Sequence, residues 1–322
     1  MKRIKLFQRF YSVALVGLLL IQLLAQTAIV SADTASSGTG DSSPATTVTP
    51  SNFSDFFDLQ GSATYDQPNG TVTITPDDYY RVGNFSLKSK ISLANDFTLT
   101  GAVNLGTRTS AQGGADGIGF AFHTGNTTDI GNAGGNLGIG GLQDALGFKL
   151  DTYHNDYRIP QANEDGALVA PTDTNGFGWD ADPSNPQFGA FVNTTDKEIT
   201  ATDGKQYQRW WATTDTSSSS LKQLSDGDLD GNFHDFKVSY TASNRLLVIT
   251  YQDKEGPLTW TKTVPDSDQA VSMIVSASTG GSRNLQQFKL NQFTFYPAAT
   301  VNVKYVDTSN NQIAQGTVTY PD

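Results

Sequence analysis

Short segments of alternating apolar and polar residues follow one another from about Ser51 to Tyr296. Examples are TVTITP, NFSLKSKISL, DFTLTGAVNL and GIGFAFHT, and Gly, Asn, Asp or Pro separates them. Runs of this length, rich in β-branched and aromatic residues, predict β-strands. No stretch of this region has the spacing of a helix of three turns. We therefore predict an all-β domain, most simply a two-sheet sandwich, with a clear hairpin in KVSYTASNRLLVITYQD that turns near Ala242-Ser243-Asn244.

The amino terminus has the pattern of a secretory signal peptide. A basic stretch, MKRIKLFQRF, precedes the apolar run YSVALVGLLLIQLLAQ, and small residues follow at Val30-Ser31-Ala32. We predict a cleaved signal peptide over residues 1–32, and the alternative is a retained membrane anchor. Residues 33–50 are rich in Ser, Thr and Gly and predict a flexible spacer. No second long apolar run follows, so we expect no membrane span after cleavage.

Composition narrows the class of partner. The chain has no cysteine, and an exported protein without disulfides fits a Gram-positive bacterium. Its net charge of −11 argues against nucleic acid as a partner. Of the 32 acidic residues only three are glutamates, which leaves 29 aspartates. Aspartate favours loops and the coordination of hard cations such as calcium, so the bias predicts a loop-rich surface, with some of these carboxylates available for an ion.

The segment LGFKLDTYHND, Leu146 to Asp156, joins a core-like strand to a polar end. Leu146, Phe148 and Leu150 share one face. Oxygen-bearing groups continue the other face at spacing two: the Asp151 carboxylate, the Tyr153 carbonyl and the Asn155 side chain. They could share one calcium ion with a carboxylate from a later loop. The alternative is a polar strand end without a ligand.

Four loops rich in Gly and Asx residues separate the central strands. They are GGADGIGF (113–120), GNAGGNLGIGG (131–141), DTYHND with the loop that follows it to ADPSN (151–185), and SASTGGSRN (276–284). Loops at one end of a sandwich are where such folds usually bind ligands. In the first loop, Asp116 could accept hydrogen bonds from two sugar hydroxyls, or it could stabilise a turn. The second loop lacks the lysine of a phosphate-binding loop, and its glycines serve either tight turns or a close approach of backbone N–H groups to a ligand.

Taken together, these motifs resemble the L-type (legume-type) lectin family over residues 51–297. ADGIGFAF, GGNLGIGG, LGFKLDTYHN, FGAFV, VSASTGG and FKLNQFTF occur in the family's order. GFKLDTYHN and ADPSN resemble in particular the lectin modules of Gram-positive surface adhesins. The resemblance implies a concanavalin-like jelly-roll β-sandwich with a shallow sugar site made of the four loops.

The resemblance also implies site residues. An Asp that follows a cis peptide and accepts hydrogen bonds from sugar hydroxyls matches Asp116, with Ala115–Asp116 as the cis bond. The carbohydrate-binding set that it implies is Asp116, Gly135 through its N–H, Asn155, and Gly280 and Gly281 of the fourth loop. The calcium ligands that it implies are Asp151, Tyr153 through its carbonyl, Asn155 and Asp182, with Asp165 and Asp173 as alternatives for the last. Tyr157, Phe177 and Trp179 are candidates for stacking under the sugar or for core packing.

One position departs from the plant pattern. Plant lectins place a glutamate two residues before the first calcium aspartate, where it binds a transition metal, and this chain has Lys149 there. An ammonium has no lone pair to offer a metal. We therefore predict one calcium site and no transition metal, and we hypothesise that Lys149 supplies a fixed positive charge in place of the second cation.

The carboxyl-terminal tail has its own resemblance. VNVKYVDTSNNQIA resembles the opening of a mucin-binding-type repeat, so residues 298–322 are either the truncated start of such a repeat or an appendage.

The predicted function is a calcium-dependent, non-catalytic adhesin that binds glycans or glycoproteins of host or microbe, secreted or held at the cell wall. The alternatives are a structural module and a glycoside hydrolase. A retaining hydrolase needs two carboxylates about 5 Å apart. Glu164, Glu198 and Glu255 are widely spaced along the chain, which leaves a pair of aspartates as the alternative for such a site.

Overall fold

The structure is a computed structural model that describes residues 29–32, 44–157, 159, 179–185, 187–299, 301–307, 311–314 and 318–319. The chain separates into two compact units, one comprising Ser42–Ala298 and the other formed by the segments Met1–Asp41 and Ala299–Pro321. The first unit contains the predicted lectin-like region. Within the described residues no helix is long and apolar enough to span a bilayer.

The described strands are, in chain order, β1 (Ile29–Ala32), β2 (Thr46–Val48), β3 (Phe57–Gly61), β4 (Thr64–Asp66), β5 (Thr71–Thr75), β6 (Val82–Leu87), β7 (Ile91–Ser92), β8 (Phe97–Asn104), β9 (Gly117–His123), β10 (Leu146–Asp151), β11 (Phe188–Thr200), β12 (Gln206–Thr214), β13 (Lys222–Gln223), β14 (His234–Thr241), β15 (Leu246–Asp253), β16 (Gly256–Thr263), β17 (Ala270–Ser278), β18 (Gln286–Phe295), β19 (Val301–Val306), β20 (Gln312–Ala314) and β21 (Val318–Thr319). The helical elements are short: α1 (Phe53–Phe56) and 3-10 turns at Pro50–Asn52, Ser110–Gln112, Gly134–Asn136, Asp226–Asp228 and Ala242–Asn244.

Two antiparallel sheets form the first unit, as the alternating segments predict. The front sheet has the order β12-β11-β10-β9-β17-β6-β3, with β13 beside β11 and β7 beside β17. The back sheet has the order β16-β15-β14-β8-β18-β5-β4, with β2 beside β18. The predicted hairpin is confirmed, because β14 and β15 pair across the turn at Ala242–Asn244. The predicted absence of a three-turn helix also holds for the described residues.

The main core lies between the two sheets. Aromatic side chains from the front sheet meet those from the back sheet: Phe120 stacks on Phe236 with ring centroids 4.4 Å apart, and Phe148 meets the edge of Trp260 at 4.9 Å. Leu146, Phe148 and Leu150 of β10 all belong to this core, as their alternation predicts. Contacts of this kind supply most of the apolar burial that stabilises a sandwich.

The outer face of the front sheet is also buried. A second apolar cluster covers it, in which Ile139 and Leu142, from the glycine-rich second loop and its end, pack with Ala121, Val192 and Ile274 of the strands. Gly147 is required beneath this loop, since an added Cβ would come within 2.6 Å of the Ile139 side chain. Consequently all six residues of β10 are buried, including the polar ones on its second face.

The second unit is a small antiparallel sheet in which β19 pairs with β1, β20 and β21. Ile29–Ala32 at the end of the predicted signal peptide pair with residues 303–306. Residues 1–28 lie outside the described residues, and the signal peptide, the spacer and the mucin-binding-type repeat stay predictions.

Candidate functional site

Three of the four glycine-rich loops leave the front sheet at the same end. The start of β9 lies between the ends of β10 and β17, because Gly117 is paired with Asp151 on one side and with Ser278 on the other. Adjacent antiparallel strands bring such ends together. The second loop reaches the same place, where Ser278 Oγ donates to the Gly134 carbonyl at 2.8 Å. All four loops therefore meet at one end of the sandwich.

Asp116 is fixed at the centre of this end. The Ala115–Asp116 peptide bond is cis, as predicted. The Asp116 N–H donates to the Ser278 carbonyl at 3.0 Å, and the Asp116 carbonyl accepts from the Thr152 N–H at 2.8 Å. Its carboxylate accepts from the Asn155 side chain, and Ser278 Oγ, whose hydrogen points mainly to the Gly134 carbonyl, lies 3.4 Å from Asp116 Oδ2. Asp116 is 5% exposed, so its carboxylate is positioned before any ligand arrives.

Asn155 and Asp182 are joined by two hydrogen bonds although 27 residues separate them in sequence. The Asn155 N–H donates to Asp182 Oδ2 at 2.9 Å. In return, the Asp182 N–H donates to the Asn155 carbonyl at 3.2 Å. Tyr153, the other predicted ligand in this loop, donates its N–H to Asp151 Oδ1 at 3.1 Å. The structure thus brings together all four residues predicted to hold calcium, whereas Asp165 and Asp173 lie outside the described residues.

Lys149 lies between the two predicted calcium carboxylates. Its ammonium is 3.1 Å from Asp182 Oδ1 and 3.4 Å from Asp151 Oδ2. It also donates to the Gly135 carbonyl and lies 4.1 Å from the centre of the Trp179 ring. Only 1% of the lysine is exposed. A charged side chain with so little exposure is held by its partners, and here these come from the second and third loops.

Burial and mutual repulsion control the ionisation of the three aspartates. Burial, and then the nearby Asp182 charge, raise the pKa of Asp116 to about 7. The same two causes raise the pKa of Asp151 well above its ordinary value. Burial raises the pKa of Asp182, against the opposing influence of Lys149. Three carboxylates face one ammonium, so the fully ionised cluster carries a net charge of −2.

The donor set fits a hard cation. Among the residues that the structure describes, no group of three or more His, Cys, Asp or Glu is arranged to hold a metal. The oxygens that lie near one another here are two carboxylates with amide and carbonyl oxygens, which is a donor set that calcium accepts. Asp151 Oδ2 is buried and accepts no hydrogen bond from a described residue, and the Lys149 ammonium lies 3.4 Å from it. Such an oxygen, beside a cluster with a net negative charge, is suited to a cation.

Gly135 lies against Trp179 and Asn155. An added Cβ would come within 2.5 Å of the Trp179 ring and 2.6 Å of Asn155 Oδ1, so only glycine fits without displacing them. Trp179 is 2% exposed. The suggestion that Trp179 stacks under a sugar is therefore wrong. It packs behind Gly135 and Lys149, as the core-packing alternative expected.

The other predicted contact residues are more open. An added Cβ at Gly280 or Gly281 would meet no atom within 4 Å, so the backbone of the fourth loop is accessible from that side. Tyr157 is 55% exposed and remains a candidate for stacking. Phe177 lies outside the described residues. The sequence reasoning missed Ser278, whose hydroxyl and carbonyl both contact the Asp116 region, because a serine at a strand end has no distinctive pattern.

A second acidic cluster, which the sequence reasoning also missed, lies at the same end of the back sheet. Asp228 and Asp253 are 1% and 4% exposed. Asp228 Oδ1 accepts from the Lys254 N–H at 2.7 Å, and the His234 ring nitrogen is 3.7 Å from the same oxygen. Burial, and then a hydrogen bond with Asp253, raise the pKa of Asp228 to about 7. Asp228 therefore titrates near neutral pH.

This raised pKa predicts a pH-dependent stability. Since the pKa of Asp228 is about 7 when folded and 3.8 ordinarily, the folded state binds the extra proton between these values. Its contribution to the free energy of unfolding is full below about pH 3.8 and is lost progressively as the pH rises from there through about 7. We expect Asp228→Asn, which keeps the oxygen that accepts from Lys254, to lose less thermal stability than the wild type between about pH 5 and pH 8.

Melting temperatures in EDTA across this range measure the difference. Asp230→Asn is the matched control. Burial raises the pKa of Asp230, but hydrogen bonds from Asn232 and Lys254 outweigh it and hold the pKa below its ordinary range. Asp230 is therefore ionised throughout the range. Equal pH slopes for the wild type and Asp228→Asn would contradict the prediction.

Comparison with known proteins assigns the sandwich domain to a family. A family model described as "Legume lectin beta-barrel domain" matches residues 48–292. The chain is 35% identical over 302 residues to the "Serine-rich adhesin for platelets" of Staphylococcus aureus strain MRSA252, covering 90% of this chain and 20% of that protein. The protein of the same name from strain MSSA476 is 35% identical over 279 residues, covering 83% of this chain and 11% of its own length. The chain thus spans a fifth or less of these relatives.

Solved structures share the fold at low sequence identity. The metal-free form of lectin I-B4 from Griffonia simplicifolia gives a TM-score of 0.51 at 16% identity, over 80% of this chain and 100% of that one. The Bauhinia forficata lectin in complex with GalNAc gives 0.52 at 15% identity, over 80% and 99%. These likenesses show the jelly-roll sandwich that the resemblance implied. From the match of the family model over residues 48–292, the chain belongs to the legume-type (L-type) lectin family.

Proposed function

We propose that this chain is a calcium-dependent, non-catalytic carbohydrate-binding module of an adhesin. The observation that carries the proposal is that two pairs of polar residues lie side by side at one end of the sandwich. Asp116 and Asn155 are buried and hydrogen-bonded to each other. Directly beside them, Asp151 and Asp182 share a single lysine. A polar pair held rigidly next to a cation-ready cluster suits the recognition of hydroxyl groups.

Sugar hydroxyls would bind at the mouth of the first and second loops. The Asp116 carboxylate would accept hydrogen bonds from two neighbouring hydroxyls, and the Asn155 amide would donate to one of them. The Gly135 N–H would donate to the sugar from the second loop, and the backbone of Gly280 and Gly281 would border the site. Because the Asp116 and Asn155 side chains are already fixed by neighbours, little ordering would oppose binding.

The calcium site would consist of Asp151, Asp182, Asn155 and the Tyr153 carbonyl. A bound calcium ion would supply two positive charges to a cluster whose ionised form carries a net charge of −2, and it would fix the loop that bears Asn155. Lys149 would take the place of a second cation, since its ammonium already neutralises one charge between Asp151 and Asp182. No transition metal is proposed.

The relatives support a proposal for the setting of the module. The staphylococcal relatives are named as adhesins for platelets. By analogy, we place this chain on the surface of a Gram-positive bacterium or among its secreted proteins, with glycans or glycoproteins of host or microbe as partners. A signal peptide at 1–32, a spacer at 33–50, the lectin domain at 51–297 and the start of a mucin-binding-type repeat at 298–322 complete the proposed organisation.

The positions of the glutamates support a non-catalytic role. Glu198 lies on the part of β11 remote from Asp151, and Glu255 lies at the turn between β15 and β16. Both are exposed and neither contributes to the cluster around Asp116. Glu164 lies outside the described residues. A paired acid and nucleophile of the kind that retaining hydrolases use is therefore not supplied by the described glutamates.

A glycan array tests the proposal. We expect wild-type protein to bind a defined group of glycans in calcium and to lose this signal in EDTA. Asp116→Asn keeps the shape of the side chain but removes the charged acceptor, so it should lose the same signal by about a hundredfold. Asp266→Asn is the control, because Asp266 is 98% exposed and precedes β17 at the opposite end of that strand. A folded wild-type protein without any glycan signal would refute the proposal.

A further inference from the structure

The segment Pro76–Arg81, of sequence PDDYYR, connects β5 to β6 and forms a fifth loop beside the four described above. We call it the tyrosine loop. Its carboxyl-terminal half is bonded to the fourth loop. The Arg81 N–H donates to Thr279 Oγ1 at 2.9 Å and the Thr279 N–H donates to the Arg81 carbonyl at 2.8 Å. The Tyr80 N–H donates to the Gly280 carbonyl at 3.2 Å.

The amino-terminal half of the tyrosine loop is attached to the first loop region. Arg108 donates to both carboxylate oxygens of Asp77, at 2.5 and 2.8 Å. Arg283 lies 3.5 Å from the same carboxylate, and its N–H donates to the Gly113 carbonyl at 2.8 Å. The tyrosine loop is therefore held by the fourth loop and by the segment that precedes the first loop, and it borders the end of the sandwich where Asp116 lies.

Two aromatic rings project from this rim. Tyr79 and Tyr80 are 47% and 57% exposed. The Arg283 guanidinium lies 4.4 Å from the centre of the Tyr79 ring and thereby holds it. Tyr80 has φ of 54°, a conformation that is unusual for a bulky residue and that is maintained here by the bond to Gly280. Residues with such a strained backbone, held in place by their neighbours, are concentrated at ligand-binding sites. The exposed ring of Tyr80 is therefore a candidate contact for a ligand.

We propose that Tyr79 and Tyr80 form a second sugar subsite, which contacts the residue of an oligosaccharide next to the one bound at Asp116; the proposal rests on the carbohydrate-binding function proposed above. Aromatic rings pack against the C–H face of a pyranose with little loss of entropy, because a tyrosine has few rotatable bonds. The nearby arginines are already engaged by Asp77 and Asp78, so contact comes from the rings. The ligand class is an oligosaccharide of two or more residues.

The test compares monosaccharides with oligosaccharides that share the same terminal residue, all printed on one array. We expect the wild type to bind the oligosaccharides more tightly. The double variant Tyr79→Ala/Tyr80→Ala should lose about tenfold in oligosaccharide affinity and keep its monosaccharide affinity. The double variant with phenylalanine should keep both, because it retains the rings.

Tyr207→Ala is the matched control, since the Arg209 guanidinium lies 5.0 Å from the centre of the Tyr207 ring, as Arg283 lies over Tyr79. It pairs with Ile199 near the far end of β11 and should change neither affinity. As a measurement on unaltered protein, tyrosine ring signals in NMR should shift for Tyr79 and Tyr80 with a bound oligosaccharide and not with the monosaccharide.

Each remaining outcome counts against the subsite. If the alanine variants lose monosaccharide and oligosaccharide binding equally, the tyrosines support the Asp116 site and no separate subsite exists. If the alanine variants bind every glycan as the wild type does, the subsite does not exist. This holds even if the variants lose binding to a protein that carries no glycan. If the wild type binds no glycan at all, the proposed function itself is refuted and this inference with it.

Discussion

Replacing Lys149 with methionine should destabilise the protein by about 3–5 kcal/mol, the usual cost of leaving a buried charge without its partner. The ammonium is 1% exposed and lies between Asp151 and Asp182. Methionine fills a similar volume without the charge, so the packing against Trp179 is retained while the carboxylates lose their counter-ion. For a domain of this size, the melting temperature should fall by about 10 °C.

Lys197→Met is a matched control on the same sheet. Lys197 also lies over a tryptophan, 4.7 Å from the Trp211 ring, and beside an aspartate, 3.5 Å from Asp180. Its side chain is 48% exposed, so its loss should cost less than about 1 kcal/mol. Thermal melts in EDTA compare the two variants. A melting temperature of Lys149→Met equal to that of the wild type would show that the ammonium is not needed.

A second variant examines whether the lysine takes the place of a cation. Lys149→Glu restores the residue type that plant lectins have at this position and turns the cluster of three carboxylates and one ammonium into four carboxylates. We expect it to be less stable than Lys149→Met in EDTA and to recover stability on addition of manganese, which the wild type should not do. If manganese does not restore the stability of Lys149→Glu, the idea that a cation and the lysine are interchangeable here is contradicted.

Much of the fold was accessible from the sequence because strand periodicity is local. The alternation of Leu146, Phe148 and Leu150 placed these side chains in the core, and the structure confirms it. The other face of the same strand was harder to predict. The pattern did not show that Lys149 and Asp151 are buried, because Ile139 and Leu142 of the glycine-rich second loop and its end cover that face of the sheet. A loop without periodicity gives no signal for such a contact.

The candidate site was predictable in its residues and less so in its contacts. The polar end of β10 and the loop carboxylate Asp182 were expected together, and the structure brings them together. That the lysine would contact both aspartates depends on bringing together Lys149 and Asp182, which are 33 residues apart, and spacing does not encode such a contact. The position of Trp179 could not be predicted for the same reason. Its local sequence does not show whether the ring packs against Gly135 or lies under a ligand. The tyrosine loop was missed because PDDYYR reads as an ordinary turn.

Calcium should stabilise the wild type and should do so through Asp151. A ligand that binds only the folded state adds about 2.7 kcal/mol at a hundred times its dissociation constant. The melting temperature should then rise by several degrees, roughly 5–10 °C, between EDTA and saturating calcium. Asp151→Asn keeps an oxygen that can accept from the Tyr153 N–H but removes one carboxylate from the cluster. It should abolish this rise, and calorimetry should detect no calcium binding.

The same variant separates a ligand role from a purely structural one. Without calcium, Asp151 is a buried carboxylate that repels Asp182 and Asp116. Neutralising it relieves that repulsion, so Asp151→Asn should be at least as stable as the wild type in EDTA and less stable in calcium. A residue that only supported the fold would lower stability in both conditions. Asp180→Asn, an aspartate two positions before Asp182 whose side chain is 44% exposed, should keep the full calcium response. Parallel losses for Asp151→Asn in EDTA and in calcium would therefore exclude Asp151 as the ligand.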